Sequence, residues 1–331
     1  MLHSSSAAAC SCGPHDVASD CTALCDLYHA TGQQLAYLGW GNGSSICTWA
    51  LQHGDQRTGI LCDEATGRPS EVVLEQLFPP MGGTLPSSLG LLSTLKKLSL
   101  WQNDVSGSLP RTLGGKSLPS LSSLNLDNNK FSGTIASSLG GTRALTALAL
   151  SSNRISGTLP PELGDLRGLT ILWGSENALS GTLPPELGKV GGGSLVYLDL
   201  FDNPRISGTL PAALLANASR LTTLDLSSTG LQDLSRSGRA GGGALSGTLP
   251  ALDWERSLPS LSWFNLRGHA ALSGSLPPSF CELMGRASVD CDLRPGGAFE
   301  RPIPDGCAKC KVRTAMLPPR RTPLYGWLPL S

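Results

Sequence analysis

The sequence predicts an α/β solenoid. This is a right-handed superhelix with a parallel β-sheet on its concave face, short 3₁₀ or irregular turns on its convex face, and a cap at each end. Three observations predict it. A glycine motif recurs at a fixed period, a leucine pattern of strand period lies between its copies, and the cysteines cluster at the two ends of the chain.

The period comes first. Gly83, Gly107, Gly133, Gly157, Gly181, Gly208, Gly247 and Gly274 each open a G-[TS]-[LI]-x segment, at spacings of 24, 26, 24, 24, 27, 39 and 27 residues. A fixed period of this length is the mark of a repeat array. The base unit is 24 residues and the excesses are loop insertions. The largest insertion, over 232–244, is rich in Ser, Arg and Gly and reads as a flexible surface loop. At 331 residues the chain is long for one compact core. A solenoid escapes that limit because each unit packs only on its neighbours.

The strand comes next. Leu95, Leu98, Leu100 and Asn103 spell L-x-x-L-x-L-x-x-N, and the same pattern recurs at Leu121–Asn129, Leu145–Asn153 and Leu195–Asn203. L-x-L alternates with period two, so its leucines face inward from a short strand. The Asn then sits in a tight bend, where its amide can satisfy backbone groups that an apolar residue would orphan. The S-G-x-L-P segment turns the chain onto the other face, with Gly permitting the bend and Pro barring a helix. Gly174 stands where a core leucine is expected, and Thr229 and His269 replace the Asn, which weakens the ladder toward the C-terminal end.

These elements give four segments: a cysteine-bearing N-terminal cap with a short helix over 1–69, seven to eight repeats over 70–280, a cysteine-bearing C-terminal cap over 281–311, and a flexible tail over 312–331. With its 24-residue unit and S-G-[TS]-L-P after the Asn, the repeat region resembles the plant-specific class of leucine-rich repeats. That class occurs in plant receptor-kinase ectodomains, receptor-like proteins and polygalacturonase-inhibiting proteins. The cap resembles that family too. Asp20 to Gly32 looks like its cap helix, with Asp20 able to N-cap and Gly32 able to end it. Trp40, Cys47-Thr-Trp49 and Gly59-Ile-Leu-Cys62 look like its W…C-x-W…G-V-x-C signature. The block from Phe280-Cys281 through Cys291 to Cys307 and Cys310 resembles its C-terminal cap, although Glu300 and Arg301 stand where a Cys often follows the Phe.

Six of the ten cysteines precede residue 63 and four follow residue 280. An open solenoid leaves an apolar face at each end, and small caps need cross-links, each contributing typically about 2–4 kcal/mol. An even count at both ends fits disulfides. Cys47–Cys62 is the expected pair, while Cys281, Cys291, Cys307 and Cys310 allow three pairings. The rival chemistry is a zinc site built on Cys307-x-x-Cys310 with Cys281 and Cys291, or on Cys10-x-Cys12 with Cys21 and Cys25. We expect disulfides and no metal or other cofactor. Disulfides imply an oxidising compartment. The sequons Asn42-Gly-Ser44 and Asn217-Ala-Ser219 are compatible with secretion, so Asn42 and Asn217 are candidate glycosylation sites. The polar Met1–Cys12 stretch does not resemble a secretory leader. A secreted or cell-surface location therefore calls for an upstream start or an unconventional route.

Several function classes drop out. Lys+Arg and Asp+Glu balance at 25 each, so there is no basic footprint for nucleic acid. No run of 18 apolar residues offers a membrane-spanning helix in this chain. His3, His15, His29, His53 and His269 are scattered and share no motif with a nucleophile, so an enzyme is not expected.

Binding falls to the concave face, where the x residues of x-L-x-L-x form three columns. The first holds Lys97, Ser123, Ala147, Ile171, Tyr197, Thr223 and Trp263. The second holds Ser99, Asn125, Ala149, Trp173, Asp199, Asp225 and Asn265. The third holds Trp101, Asp127, Ser151, Ser175, Phe201, Ser227 and Arg267. Five aromatics on this face are more than a bland surface needs. Trp173, Tyr197 and Phe201 are expected to form one patch, with Asp199 and Asp225 as a negative stripe beside it and Trp101 and Trp263 as outlying members. The bland alternative has Trp173 filling the gap at Gly174 and Trp263 packing on the C-terminal cap. The expected function is extracellular or cell-surface recognition of a protein, peptide or glycan, by a monomer or a co-receptor-type heteromer. The alternatives are an inhibitor of a cell-wall-degrading enzyme, a structural wall or matrix protein, or a piece of a larger receptor.

Overall fold

A computed structural model describes residues 10–31, 35, 39–40, 42–53, 56–192, 194–227, 244–269, 271–286, 289–293, 298–299, 307 and 310. Gly32, Thr229, the tail over 312–331 and the insertion over 232–243 lie outside the described residues.

Eleven strands form the long sheet: β1 (Ala50–His53), β2 (Gln56–Cys62), β3 (Pro69–Val73), β4 (Lys97–Ser99), β5 (Ser123–Asn125), β6 (Ala147–Ala149), β7 (Ile171–Trp173), β8 (Tyr197–Asp199), β9 (Thr223–Asp225), β10 (Trp263–Asn265) and β11 (Asp290–Asp292). They lie in sequence order. The first two join antiparallel and β3 onward run parallel. The inward leucines are closed off from water, with Leu98, Leu124, Leu148 and Leu198 each at 0% exposure. Opposite the sheet run short 3₁₀ turns such as Ser137–Gly141 and Pro161–Asp165.

The S-G-x-L-P segments do more than turn. They build a second parallel sheet of six strands, from Ser156–Gly157 to Ala298–Phe299, with a two-stranded extension at Ser106–Ser108 and Lys130–Ser132. Glycine is required within it. Gly157 has φ +78°, and a Cβ there would lie 2.7 Å from the Thr134 methyl. Gly174, in the long sheet, leaves no void: Leu200 Cδ2 and Leu179 Cδ1 come within 3.1 and 3.5 Å of where its Cβ would be.

The asparagines bind one coil to the next. Asn129 Nδ2 donates to the carbonyls of Leu100 (2.8 Å) and Leu126 (3.2 Å), and its Oδ1 accepts from Val105 N (3.0 Å). Asn103, Asn153, Asn177 and Asn203 repeat this pattern. His269 keeps the inter-coil bond that the Asn would make, with Nε2 2.6 Å from the Leu226 carbonyl. The ladder is altered there rather than lost. Asn129→Leu is expected to cost about 3 kcal/mol, since buried N–H and C=O groups lose their partner together. Urea unfolding followed by circular dichroism measures it, and a loss under 1 kcal/mol would contradict this account of the ladder.

The cysteines at both ends are cross-linked. Five disulfides form: Cys10–Cys25, Cys12–Cys21, Cys47–Cys62, Cys281–Cys307 and Cys291–Cys310. No described cysteine is free, so the zinc alternative is replaced by cross-links at both caps. The clustered sulfurs of Cys12, Cys21 and Cys25 belong to two adjacent disulfides. The cap helix α1 spans Ala18–Ala30. Asp20 does not cap it: Val17 holds the N-cap position, and Asp20 sits buried in the first turn. Its carboxylate accepts two bonds from Arg68, from Nε at 2.9 Å and from an Nη at 2.8 Å, tying the helix to the sheet. At the far end Trp254, Phe264 and Phe280 meet edge to face, with centroids 4.8 to 5.7 Å apart.

Candidate functional site

Strand register aligns the concave columns. Lys97, Ser123, Ala147, Ile171, Tyr197, Thr223 and Trp263 are successive Cα partners, as are Ser99, Asn125, Ala149, Trp173, Asp199, Asp225 and Asn265. Trp173 and Tyr197 pack edge to face, ring centroids 6.5 Å apart. Asp199 lies between them and Phe201: it is the register partner of Trp173 and shares its strand face with Tyr197 two residues before and Phe201 two after. Trp101 is three strands away from Trp173 and does not join this patch.

The second column also closes the strand ends. Asp199 Oδ1 accepts from Phe201 N (2.9 Å) and Asp225 Oδ1 from Ser227 N (3.0 Å), while Asn125 and Asn265 serve Asp127 N and Arg267 N. Where this column holds Ala149 no such acceptor exists, and the Ser151 N–H is taken instead by Asp127 Oδ1 from the preceding coil. Asp225 is further committed. Its Oδ1 takes the Ser227 hydroxyl (2.6 Å), and its Oδ2 takes Trp263 Nε1 and Asn265 Nδ2, both at 3.0 Å. Trp263 is thus tethered along the sheet to the preceding strand.

The carboxyls are unusual. Burial, then the Asp225 charge, pushes Asp199 up to about 7. Burial, then Glu176, raises Asp202 to about 6. Asp127 is the outlier. Its side chain is wholly buried, its Oδ2 has no hydrogen-bond partner, and burial, only partly offset by the Ser151 N–H bond, lifts it to about 8. Sequence reasoning placed Asp127 in the third column without assigning it a role. The available signal was an acid beside Ser151 and Ser175 in its column, next to an Ala149 that cannot cap.

The Leucine Rich Repeat family model matches residues 120–142 and 144–166. Among solved structures, the chain is similar to the ectodomain of the Arabidopsis thaliana receptor kinase GASSHO1/SCHENGEN3, determined with CASPARIAN STRIP INTEGRITY FACTOR 2. There it has 25% identity over 80% of this chain and 29% of that one, with TM-score 0.62. It is also similar to the plant peptide hormone receptor RGFR1 in complex with RGF2, at 28% identity over 70% of this chain and 32% of that one, with TM-score 0.56. This chain is a plant-type leucine-rich-repeat protein. A third likeness, to a TDR receptor, has 28% identity over 73% of this chain and 41% of that one, with TM-score 0.56. The leucine-rich-repeat chain therefore spans between 29% and 41% of the length of these receptor structures. No curated protein matches it.

Both sequons are at the surface, one in the N-terminal cap and one in the repeats. Asn42 is exposed, with its Oδ1 accepting from Ser44 N and Oγ, and Asn217 is exposed at the end of the short helix Ala212–Ala216.

Proposed function

We propose that this leucine-rich-repeat protein is a non-catalytic recognition module, secreted or at the cell surface, that binds a peptide or protein ligand on its concave sheet. The observation that carries this reading is the Trp173–Tyr197 ring pair beside Asp199 on adjacent, register-locked strands, with Phe201 two residues past Asp199. Aromatic side chains offer large contact area at little entropic cost and dominate interface hot spots. A rigid sheet presents them without an ordering penalty. Two of the similar receptors were determined with a peptide or protein partner, which supports a ligand of that class. Five disulfides support an oxidising compartment, and exposed Asn42 and Asn217 support glycan attachment there.

The test uses the oxidised protein to select binders from a random-peptide display library. Tyr197→Ala/Phe201→Ala is expected to weaken binding of the selected peptides at least tenfold, with an unchanged unfolding midpoint. Both rings are partly exposed, so their removal opens no core cavity. Wild-type affinity in the double variant would overturn the assignment of this face.

A further inference from the structure

Two carboxyls on the concave face are only partly compensated by the protein: Asp199 accepts from the Phe201 N–H and the Ser175 hydroxyl, and Asp127 from the Ser151 N–H alone. Asp199 stands among three aromatic rings with Asp225 as its strand neighbour and Glu176 also bearing on it, so its negative charge is crowded by like charge. Asp127, wholly buried in the third column, has an acceptor oxygen with no donor. Buried acceptors in folded proteins are almost always partnered, and one that is not points to something absent. Between the two run Ser151 and Ser175, their hydroxyls 2.9 Å apart, with Asp127 Oδ1 on the Ser151 N–H. The track therefore has an acid at each end and small hydroxyls between.

The chemistry selects one class of ligand. Carboxylate beside aromatic faces is a setting for a guanidinium or ammonium group, which gains from the ring quadrupole and from charge-assisted hydrogen bonds. A bare metal ion needs converging donors. Among the described residues, the only group of three or more His, Cys, Asp or Glu donors within 4.8 Å of one another is made of cap cysteines already in disulfides. Asp127 follows β5 and Asp199 ends β8, three strand spacings apart, or about 14 Å. An extended peptide covers nearly that span in four residues, at about 3.3 Å each.

We propose that this track binds an extended basic peptide, seating one cationic side chain on Asp199 among Trp173, Tyr197 and Phe201 and a second on Asp127. The inference rests on the concave-face reading above. Asp127 is wholly buried, so reaching it requires a side chain of this face to turn aside. The charged groups around the track are mostly acidic: Asp225, Glu176 and Asp202 near Asp199, and Glu75 beyond Trp101. The basic residues in the three columns, Lys97 and Arg267, lie toward the two ends of the array. Binding therefore strengthens as pH rises and the two carboxyls ionise.

The probe is the blocked peptide Arg-Gly-Ser-Gly-Arg, with Glu-Gly-Ser-Gly-Glu as control, titrated into the full oxidised chain by calorimetry at pH 5.5 and 8.5. The basic peptide is expected to bind at least tenfold more tightly at pH 8.5 than at pH 5.5, and the acidic one not at all. Asp199→Asn and Asp127→Asn should each weaken binding about tenfold at pH 8.5. Each keeps an oxygen for the backbone N–H that its parent holds, so the fold remains. Equal affinity in both Asn variants and wild type, or no binding of the basic peptide, overturns the inference. If library-selected peptides of neutral composition still require Tyr197 and Phe201, the concave reading stands while this one falls. If those two residues are dispensable, both fall.

Discussion

Trp254→Ala is expected to release the C-terminal end of the solenoid while the N-terminal coils stay folded. Trp254 is fully buried, and its ring meets Phe280 and Phe264 at centroid distances of 4.8 and 5.7 Å. Its Nε1 donates to the Pro250 carbonyl at 3.0 Å. Truncating such a ring costs about 3–5 kcal/mol, and the lost edge-to-face contacts lie within that cost. In a repeat array each unit leans only on its neighbours, so the damage is local. The helix Pro278–Gly285 and strand β11 lose the surface they cover, whereas β3 to β7 keep theirs. Hydrogen exchange resolved by mass spectrometry reads this directly. Protection should fall over 254–293 and persist over 95–180, and Trp254→Phe should restore most of it. Uniform loss of protection along the chain would show instead that the array unfolds as one unit.

Asp127→Asn is expected to stabilise the protein at alkaline pH and to leave it nearly unchanged at about pH 3, where the carboxyl is protonated in both the folded and the unfolded chain. The folded-state value of about 8 lies far above the ordinary carboxyl value of 3.8. Between those values the folded chain holds a proton that the unfolded chain has released. Stability therefore declines as pH rises from about 4, and the full penalty is reached above about 8. For a wholly buried group with a shift this large the penalty is several kcal/mol, about 6 at most. Asp199, at about 7, and Asp202, at about 6, act in the same direction with smaller weight. The Asn variant keeps an oxygen for the Ser151 N–H and removes the charge. Its unfolding free energy at pH 8.5 should exceed wild type by at least 2 kcal/mol, with a flatter profile between pH 5 and 8.5. A variant less stable than wild type at pH 8.5 would mean that the carboxylate has a partner in solution that offsets its burial.

Leu98, Leu124 and Leu148 had to face inward because their spacing is that of a strand and water excludes them. Asn103, Asn129 and Asn153 had to bridge because a bend leaves peptide groups that only an amide of that length can reach. Those assignments and the column each concave residue occupies are local or periodic properties, and the sequence by itself determined them; the Cys47–Cys62 pair was expected alongside the cap's resemblance to its family. It was silent wherever the outcome hangs on what a distant segment brings. Asp20 read as a helix cap, yet it is a buried partner of Arg68, 48 positions along. S-G-x-L-P read as a turn, yet it pairs into a second sheet, since hydrogen bonds between coils exist only once the coils are stacked. Asp225 read as part of a negative stripe beside the aromatic patch, yet its oxygens are spent on Trp263, Asn265 and Ser227 from its own and the next coil. Asp127 became a buried acceptor only because Ala149, on the following strand, cannot cap Ser151. Burial and charge crowding depend on inter-strand distance, and only the tertiary structure sets that distance.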